Sequence, residues 1–186
     1  RCGMSLRAAA GGGAQVQQAI GINPGCIAST FSAANGTVFL TDRYFAGYGD
    51  CVYKSDPVRN TPDSYLYRTA RYGRYGDFEY NIPLVNGSYN LTLKFAEINY
   101  RSKGSRVFNV LVNGAKVLSN FDILNEVPSR TALDKIFPVE VTAGTMRIQF
   151  QGVVRRGIVN AIEIVPVAVQ PVTISVNPSQ VSLSAG

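Results

Sequence analysis

A chain of 186 residues, 46% of them hydrophobic, can bury the core of one domain but leaves no room for a second complete domain. Its 18 Lys and Arg against 12 Asp and Glu give a formal charge of +6. No recognition helix or zinc spacing accompanies these basic residues, which favours a solvated basic face over a nucleic-acid interface.

The lack of His and the total of three Cys exclude the usual zinc and iron–sulfur ligand sets, so we predict no metal and no cofactor. No apolar run reaches the ~18 residues that a membrane-spanning helix needs.

In chain order, the composition divides the sequence into three segments. Residues 1–14 are rich in Gly and Ala and predict a flexible lead-in. Residues 15–166 contain short runs of alternating apolar and polar residues separated by Gly, Pro, Asn and Asp, a pattern typical of strands joined by turns. Residues 167–186 begin with a Pro-bracketed linker and continue as two short alternating strands, which resemble the opening of a bacterial immunoglobulin-like repeat.

The clearest predicted strand covers residues 89–95, and residues 78–82 alternate in the same way just before it. The intervening Asn86-Gly87 predicts that these two strands are antiparallel neighbours, and Asn113-Gly114 predicts a second hairpin further along the chain. Such short strands without an amphipathic helix predict an all-β fold. We expect a two-sheet antiparallel β-sandwich with jelly-roll (galactose-binding-like) topology.

The cysteine positions allow one disulfide within the domain. Cys26 and Cys51 both lie in loop-like sequence and form the predicted pair, which leaves Cys2 in the lead-in. The odd number of cysteines keeps the other pairings open.

Several polar side chains, including Tyr67, Tyr80 and Tyr89, are predicted at alternating strand positions that share the parity of the core. Tyr67, Tyr80 and Tyr89 are predicted to be core or tyrosine-corner residues rather than ligands. Glu97 has the parity of the apolar residues of the strand before it, so its carboxylate should point inward and pair with an Arg.

Five stretches carry the most information about function. They are residues 67–72, 78–83, 87–98, 106–114 and 121–123. Their order and spacing, within roughly residues 20–166, resemble the malectin and malectin-like family. The resemblance implies a β-sandwich whose loops at one end form a sugar cleft lined by aromatic side chains. The resemblance also implies that this cleft binds glucose-containing saccharides without cleaving them. Tyr suits a sugar ligand, because it offers both a ring for the sugar's C–H face and an OH for its hydroxyls.

The resemblance also places the family's binding positions on this chain. A Tyr that follows the first strand pair falls on Tyr48, with Tyr44 as the competing position. The Tyr that closes the Thr-x-Arg-Tyr pattern falls on Tyr72. Both residues are expected to line the sugar cleft.

The remaining binding positions depart from the family's pattern. Two adjacent positions that are aromatic in the family correspond to Asn99 and Tyr100 here, so an amide replaces one ring. An acidic position before the last strand falls on Arg155, which can only donate hydrogen bonds where a carboxylate would accept them. Arg71, Arg101 and Arg155 are expected around the same cleft. An acidic sugar such as a uronate therefore becomes a candidate ligand, because a guanidinium pairs bidentately with a carboxylate.

The sequence thus predicts a non-catalytic carbohydrate-binding module of a secreted or cell-surface modular protein, with a bacterial source. Its expected partners are an oligosaccharide or polysaccharide and the adjacent immunoglobulin-like domain of the same chain. A structural or adhesive spacer domain that binds a protein is the alternative. Catalysis is not expected, because no carboxylate pair marks a glycosidase and no His supplies a base.

Overall fold

A computed structural model describes residues 18–26, 29–73 and 76–168. The predicted lead-in, residues 1–14, lies outside the described residues. So do all but the first two residues of the predicted linker and immunoglobulin-like segment, residues 167–186. The account that follows concerns the central segment.

Strands make up most of the regular secondary structure in the described chain. They are β1 Ile20–Asn23, β2 Phe31–Ser32, β3 Val38–Thr41, β4 Phe45–Ala46, β5 Gly49–Tyr53, β6 Thr69–Gly73, β7 Phe78–Pro83, β8 Gly87–Phe95, β9 Val107–Val112, β10 Ala115–Phe121, β11 Leu133–Val141, β12 Thr145–Val154, β13 Ile158–Val159 and β14 Ala161–Pro166. A 3-10 helix covers Ser64–Arg68, and the short helix α1 covers Ile123–Glu126.

Two large sheets form the sandwich and confirm the predicted all-β class. One has six strands in the order β11-β8-β14-β1-β3-β2, and the other has five in the order β10-β9-β12-β7-β4. A third sheet, β13-β6-β5, has three short strands. The strand pairings among the described residues are antiparallel apart from β1 with β3, which run parallel.

A single core lies between the large sheets. Strands β7, β8 and β12 alternate buried and less buried residues, as expected where one face of each sheet is covered. Phe95 of the six-stranded sheet contacts Phe108 and Phe121 of the five-stranded sheet, with ring centroids 5.9 and 5.2 Å apart. These aromatic contacts join the two layers into one packed unit.

The predicted pairing of β7 with β8 is wrong. Strand β7 pairs with β12 and β4 in the five-stranded sheet, whereas β8 pairs with β11 and β14 in the six-stranded sheet. The Asn86 side chain does not close a hairpin but accepts a hydrogen bond from the Gly144 N–H at 2.8 Å. Alternation shows only that both strands face a core, and two strands facing each other across a sandwich have the same pattern as two neighbours in one sheet.

The second Asn-Gly prediction is confirmed. Strands β9 and β10 are antiparallel, with Val112 opposite Ala115 across a two-residue turn. Both turn residues have positive φ, 49° at Asn113 and 85° at Gly114, as a type I′ turn requires.

The three tyrosines predicted for the interior are buried. The hydroxyl of Tyr80 donates to Asp42 Oδ1 at 2.8 Å, and that of Tyr67 donates to Asp134 Oδ1 at 2.5 Å. Burial, followed by the Asp134 carboxylate, raises the pKa of Tyr67 far above its usual value. Tyr67 lies in the 3-10 helix and not in a strand, contrary to the prediction.

The third buried tyrosine, Tyr89, holds the connection by which the chain passes from one large sheet to the other. Its hydroxyl donates to the Val85 carbonyl at 2.6 Å, four residues earlier in the connection from β7 to β8. We expect Tyr89→Phe to lower the free energy of unfolding by about 1–2 kcal/mol, because the carbonyl loses its partner. Urea unfolding would measure this loss against Tyr53→Phe, a change at an exposed ring that should leave stability nearly unaltered. Equal stabilities of the two variants would contradict the assignment.

Candidate functional site

A cavity of about 410 Å³ opens at one end of the sandwich, where β6, the loop after β8, the start of β9 and the turn between β12 and β13 meet. It is lined by Tyr72, Asn99, Tyr100, Arg106, Arg155 and Arg156. The lining therefore combines two phenol rings, one amide and three guanidinium groups.

Tyr72 reaches the cavity from the three-stranded sheet. It lies in β6 between its register partners Asp50 of β5 and Ile158 of β13, and its side chain is half-buried. The guanidinium carbon of Arg156 lies 5.8 Å from the ring centroid, within the range of a cation–π contact. Strand pairing fixes the backbone of Tyr72, and an arginine covers its ring.

A buried carboxylate holds the opposite rim. Glu97, which is 1% exposed, accepts hydrogen bonds at Oε1 from the N–H groups of Asn99, at 2.9 Å, and Tyr100, at 3.1 Å. These bonds shape the short loop that follows β8. Glu97 points inward, as predicted, although β8 ends two residues earlier, at Phe95.

The other oxygen of Glu97 connects the two rims. Its Oε2 accepts from Arg106 Nε at 2.7 Å, and Arg106 is itself 5% exposed. Arg106 Nη1 in turn donates to the Arg156 carbonyl at 2.6 Å. One buried ion pair thus positions both the loop carrying Tyr100 and the turn carrying Arg155 and Arg156.

Two guanidinium groups contact the ring of Tyr100. The guanidinium carbons of Arg106 and Arg155 each lie 5.0 Å from its centroid. Arg155 also donates from Nη1 to the Ser105 carbonyl at 2.6 Å, which holds its side chain across the cavity rim. Its backbone has a positive φ of 59°, as befits a residue in a tight turn between two strands.

The cavity carries an uncompensated positive charge. No Asp or Glu lines it among the described residues, and the residues outside the described ranges contain neither type. Arg106 is neutralised by Glu97, whereas in the described part of the chain Arg155 and Arg156 lie in no ion pair. Two cationic groups therefore face the opening.

The structure brings four of the five predicted site residues together. Tyr72, Asn99, Tyr100 and Arg155 line the one cavity, although their role in binding sugar stays a prediction. Tyr48 is not among its described lining residues. It lies between β4 and β5 with 78% of its surface exposed, beyond the part of β5 that pairs with β6.

Two lining residues, Arg106 and Arg156, were not predicted for the site. The sequence held an indirect signal for the first, since an inward-pointing Glu97 needs a cationic partner, but it did not say which of the arginines supplies it. Arg156 directly follows Arg155 and is identified only by its ring contact with Tyr72.

A disulfide joins Cys26 to Cys51 beside the sheet that carries Tyr72. Cys51 lies in β5, opposite Arg71, and not in a loop as predicted. The N–H of Cys26 donates to Thr69 Oγ1 at 3.2 Å, at the start of β6. The chain after β1 is therefore tied both to β5 and to β6.

The described residues hold no group of three or more His, Cys, Asp and Glu side chains placed to bind a metal ion. None of the helices in the described ranges is long and apolar enough to cross a membrane. The site that can be defined is therefore the cavity itself, with its tyrosines, amide and arginines.

This fold and cavity define a β-sandwich ligand-binding domain whose site lies in the loops at one end. The malectin domain family matches residues 19–168, and the chain belongs to that family of carbohydrate-binding domains. Malectin-A of Xenopus laevis is 40% identical over 91 residues, which cover 48% of this chain and 33% of that protein. The chain spans about a third of the length of the malectins it matches.

Solved structures share the fold at lower identity. The ANX2 ectodomain from Arabidopsis thaliana superimposes with a TM-score of 0.67 at 18% identity, covering 81% of this chain and 50% of that chain. A Bacteroides uniformis beta-glucuronidase gives a TM-score of 0.67 at 21% identity, covering 81% of this chain and 18% of that chain. The malectins matched are animal proteins and give no support to the predicted bacterial source.

Proposed function

We propose that this domain is a non-catalytic carbohydrate-binding module of a secreted or cell-surface modular protein. The observation that carries the proposal is the convergence of Tyr72, Asn99 and Tyr100 on one open cavity at the end of the sandwich. Its volume falls within the ~300–1,000 Å³ of small-ligand pockets. The ligand is a glucose-containing or acidic oligosaccharide or polysaccharide.

The lining chemistry supports a saccharide ligand. Sugar hydroxyls both donate and accept hydrogen bonds, and so do the phenol hydroxyls of Tyr72 and Tyr100 and the amide of Asn99. The phenol rings add an apolar surface for the C–H face of a sugar. A polar, open cavity of this kind suits a hydrated ligand better than an apolar one.

The same lining supports binding without cleavage. Glycoside hydrolysis ordinarily needs two carboxyl groups on either side of the scissile bond. The Glu97 carboxylate lies under the loop that carries Asn99 and Tyr100, and both of its oxygens are engaged by Arg106 and two backbone N–H groups. Among the described residues, no carboxyl group lines the cavity to act as the acid or the nucleophile.

An extracellular location is supported by the Cys26–Cys51 disulfide, since such bonds persist mainly in oxidising compartments. The immunoglobulin-like neighbour rests on the sequence pattern of residues 167–186 alone. Both remain part of the proposal for the whole protein.

Immobilised glucans and uronans provide the direct test. The wild-type domain should be retained, and the double variant Tyr72→Ala/Tyr100→Ala should bind at least about tenfold more weakly, because both rings and both hydroxyls are lost. The matched control is Tyr53→Ala/Tyr65→Ala, which removes two exposed rings outside the cavity and should bind as wild type. Unchanged retention of a folded Tyr72→Ala/Tyr100→Ala variant would remove this site.

The same assay decides two further points. Tyr48→Ala should weaken retention if Tyr48 contributes from outside the cavity lining, and unchanged retention would exclude it. A spacer or adhesive role is the second candidate, favoured by the arginines that cover both rings. Failure of the folded wild-type domain to bind any glycan would support that role instead.

A further inference from the structure

The surfaces that a neutral sugar would stack on are already in contact with cations. Arg156 covers the ring of Tyr72, and Arg106 and Arg155 both contact the ring of Tyr100. A ligand in the cavity therefore has guanidinium N–H groups within reach as well as aromatic faces. The dominant chemistry of the lining is hydrogen-bond donation by cations.

Two of these cations have no anionic partner in the described structure. The buried pair with Glu97 neutralises Arg106, but the twelve acidic residues all lie in the described part of the chain and none pairs with Arg155 or Arg156. Unpaired neighbouring guanidinium groups repel each other and attract an anion. The cavity is thus electrostatically incomplete without a negatively charged ligand.

The side chain of Arg155 and the backbone of Arg156 are also held in place. Arg155 is bound through Nη1 to the Ser105 carbonyl, and the Arg156 backbone is bound to Arg106 Nη1, which the buried Glu97 fixes. The Arg155 donors are therefore arranged before a ligand arrives, and less conformational entropy is lost when they bind. Mobile surface arginines would lack this property.

We propose that the cavity selects saccharides that carry a carboxylate, that is, uronate-containing oligosaccharides, with Arg155 and Arg156 donating to the carboxylate. This inference rests on the proposed carbohydrate-binding function of the same cavity. A planar guanidinium matches a planar carboxylate bidentately, and such charge-assisted bonds are about twice as strong as neutral ones. The tyrosine hydroxyls and Asn99 then serve the ring hydroxyls that uronates share with neutral sugars.

Chemically matched ligands test the selection. Oligoglucuronates and oligogalacturonates are compared with their carboxyl-reduced products, which have the same linkage and length but a hydroxymethyl group in place of the carboxylate. Titration calorimetry at low salt should show at least about tenfold tighter binding of the uronates. The preference should shrink in 0.5 M NaCl, because the cavity is open to solvent and its charges are screened. Tighter binding of sulfated cello-oligosaccharides than of any uronate would overturn the assignment to a carboxylate.

Matched variants locate the selection. Arg156→Gln should reduce the ratio of uronate affinity to reduced-product affinity several-fold, and Arg155→Gln/Arg156→Gln should bring that ratio to about one. Arg43→Gln is the control, because Arg43 also lies 5.8 Å from a tyrosine centroid, that of Tyr44, but outside this cavity. Arg43→Gln lowers the net charge by one, as Arg156→Gln does, and should leave the preference intact.

The outcomes separate the two proposals. Equal affinity of wild type for uronates and their reduced products overturns the selection and leaves carbohydrate binding standing. Binding of neither kind by a folded domain overturns both. A lost preference in Arg43→Gln as well would show that net charge, and not the cavity, attracts the uronate.

Discussion

Replacing Glu97 with Ala is expected to lower the free energy of unfolding by about 3–5 kcal/mol. The Arg106 guanidinium would remain buried without its carboxylate, and the N–H groups of Asn99 and Tyr100 would lose their acceptor. Because the same contacts shape both rims of the cavity, the variant should also lose glycan binding under conditions where it is still folded. Urea unfolding and calorimetric titration measure the two effects.

Glu126→Ala is the matched control for this change. Glu126 also pairs with a cation, Lys135, but the Glu126 side chain is 39% exposed. An exposed pair of this kind contributes only about 0–1 kcal/mol, so the control should stay close to wild type in stability. A Glu97→Ala variant as stable as Glu126→Ala would show that the Glu97–Arg106 pair does not hold the cavity together.

The second large effect is expected from the Cys26–Cys51 disulfide. Its two cysteines are separated by 25 residues, and closing a loop of this length in the unfolded chain stabilises the fold by about 3.5 kcal/mol in the chain-entropy description. The double variant Cys26→Ser/Cys51→Ser should therefore unfold at clearly lower urea than wild type. Reduced wild-type protein should behave in the same way.

Cys2→Ser provides the control, because it removes a cysteine and leaves the Cys26–Cys51 bond intact. Its stability should equal that of wild type. If Cys26→Ser/Cys51→Ser were as stable as Cys2→Ser, the disulfide would add nothing to the fold. A drop in glycan affinity at temperatures where the double variant is folded is also expected, since Cys51 and Tyr72 lie on neighbouring strands of the small sheet.

The sequence predicted part of the site, namely the residues that match positions of a known family. Tyr72, Asn99, Tyr100 and Arg155 were placed by resemblance to a family, and they do meet at one cavity. Arg106 and Arg156 have no such pattern, because their presence depends on hydrogen bonds between segments about fifty residues apart. Tyr48 was carried over to a turn that the structure leaves outside the cavity lining, since spacing along a chain does not give the direction of a loop.

The amino-acid sequence by itself determined which segments become strands and which of their faces are buried. Alternation along residues 78–82 and 89–95 follows directly from the two-residue period of a strand, and Asn113-Gly114 closes a hairpin because both residues accept positive φ. Only the tertiary structure decided that β7 and β8 belong to opposite sheets and that a buried Glu97–Arg106 pair links the rims of a cationic cavity. The physical reason is that period and turn chemistry are local, whereas sheet partners and ion pairs are chosen by packing and by the need to neutralise buried charge.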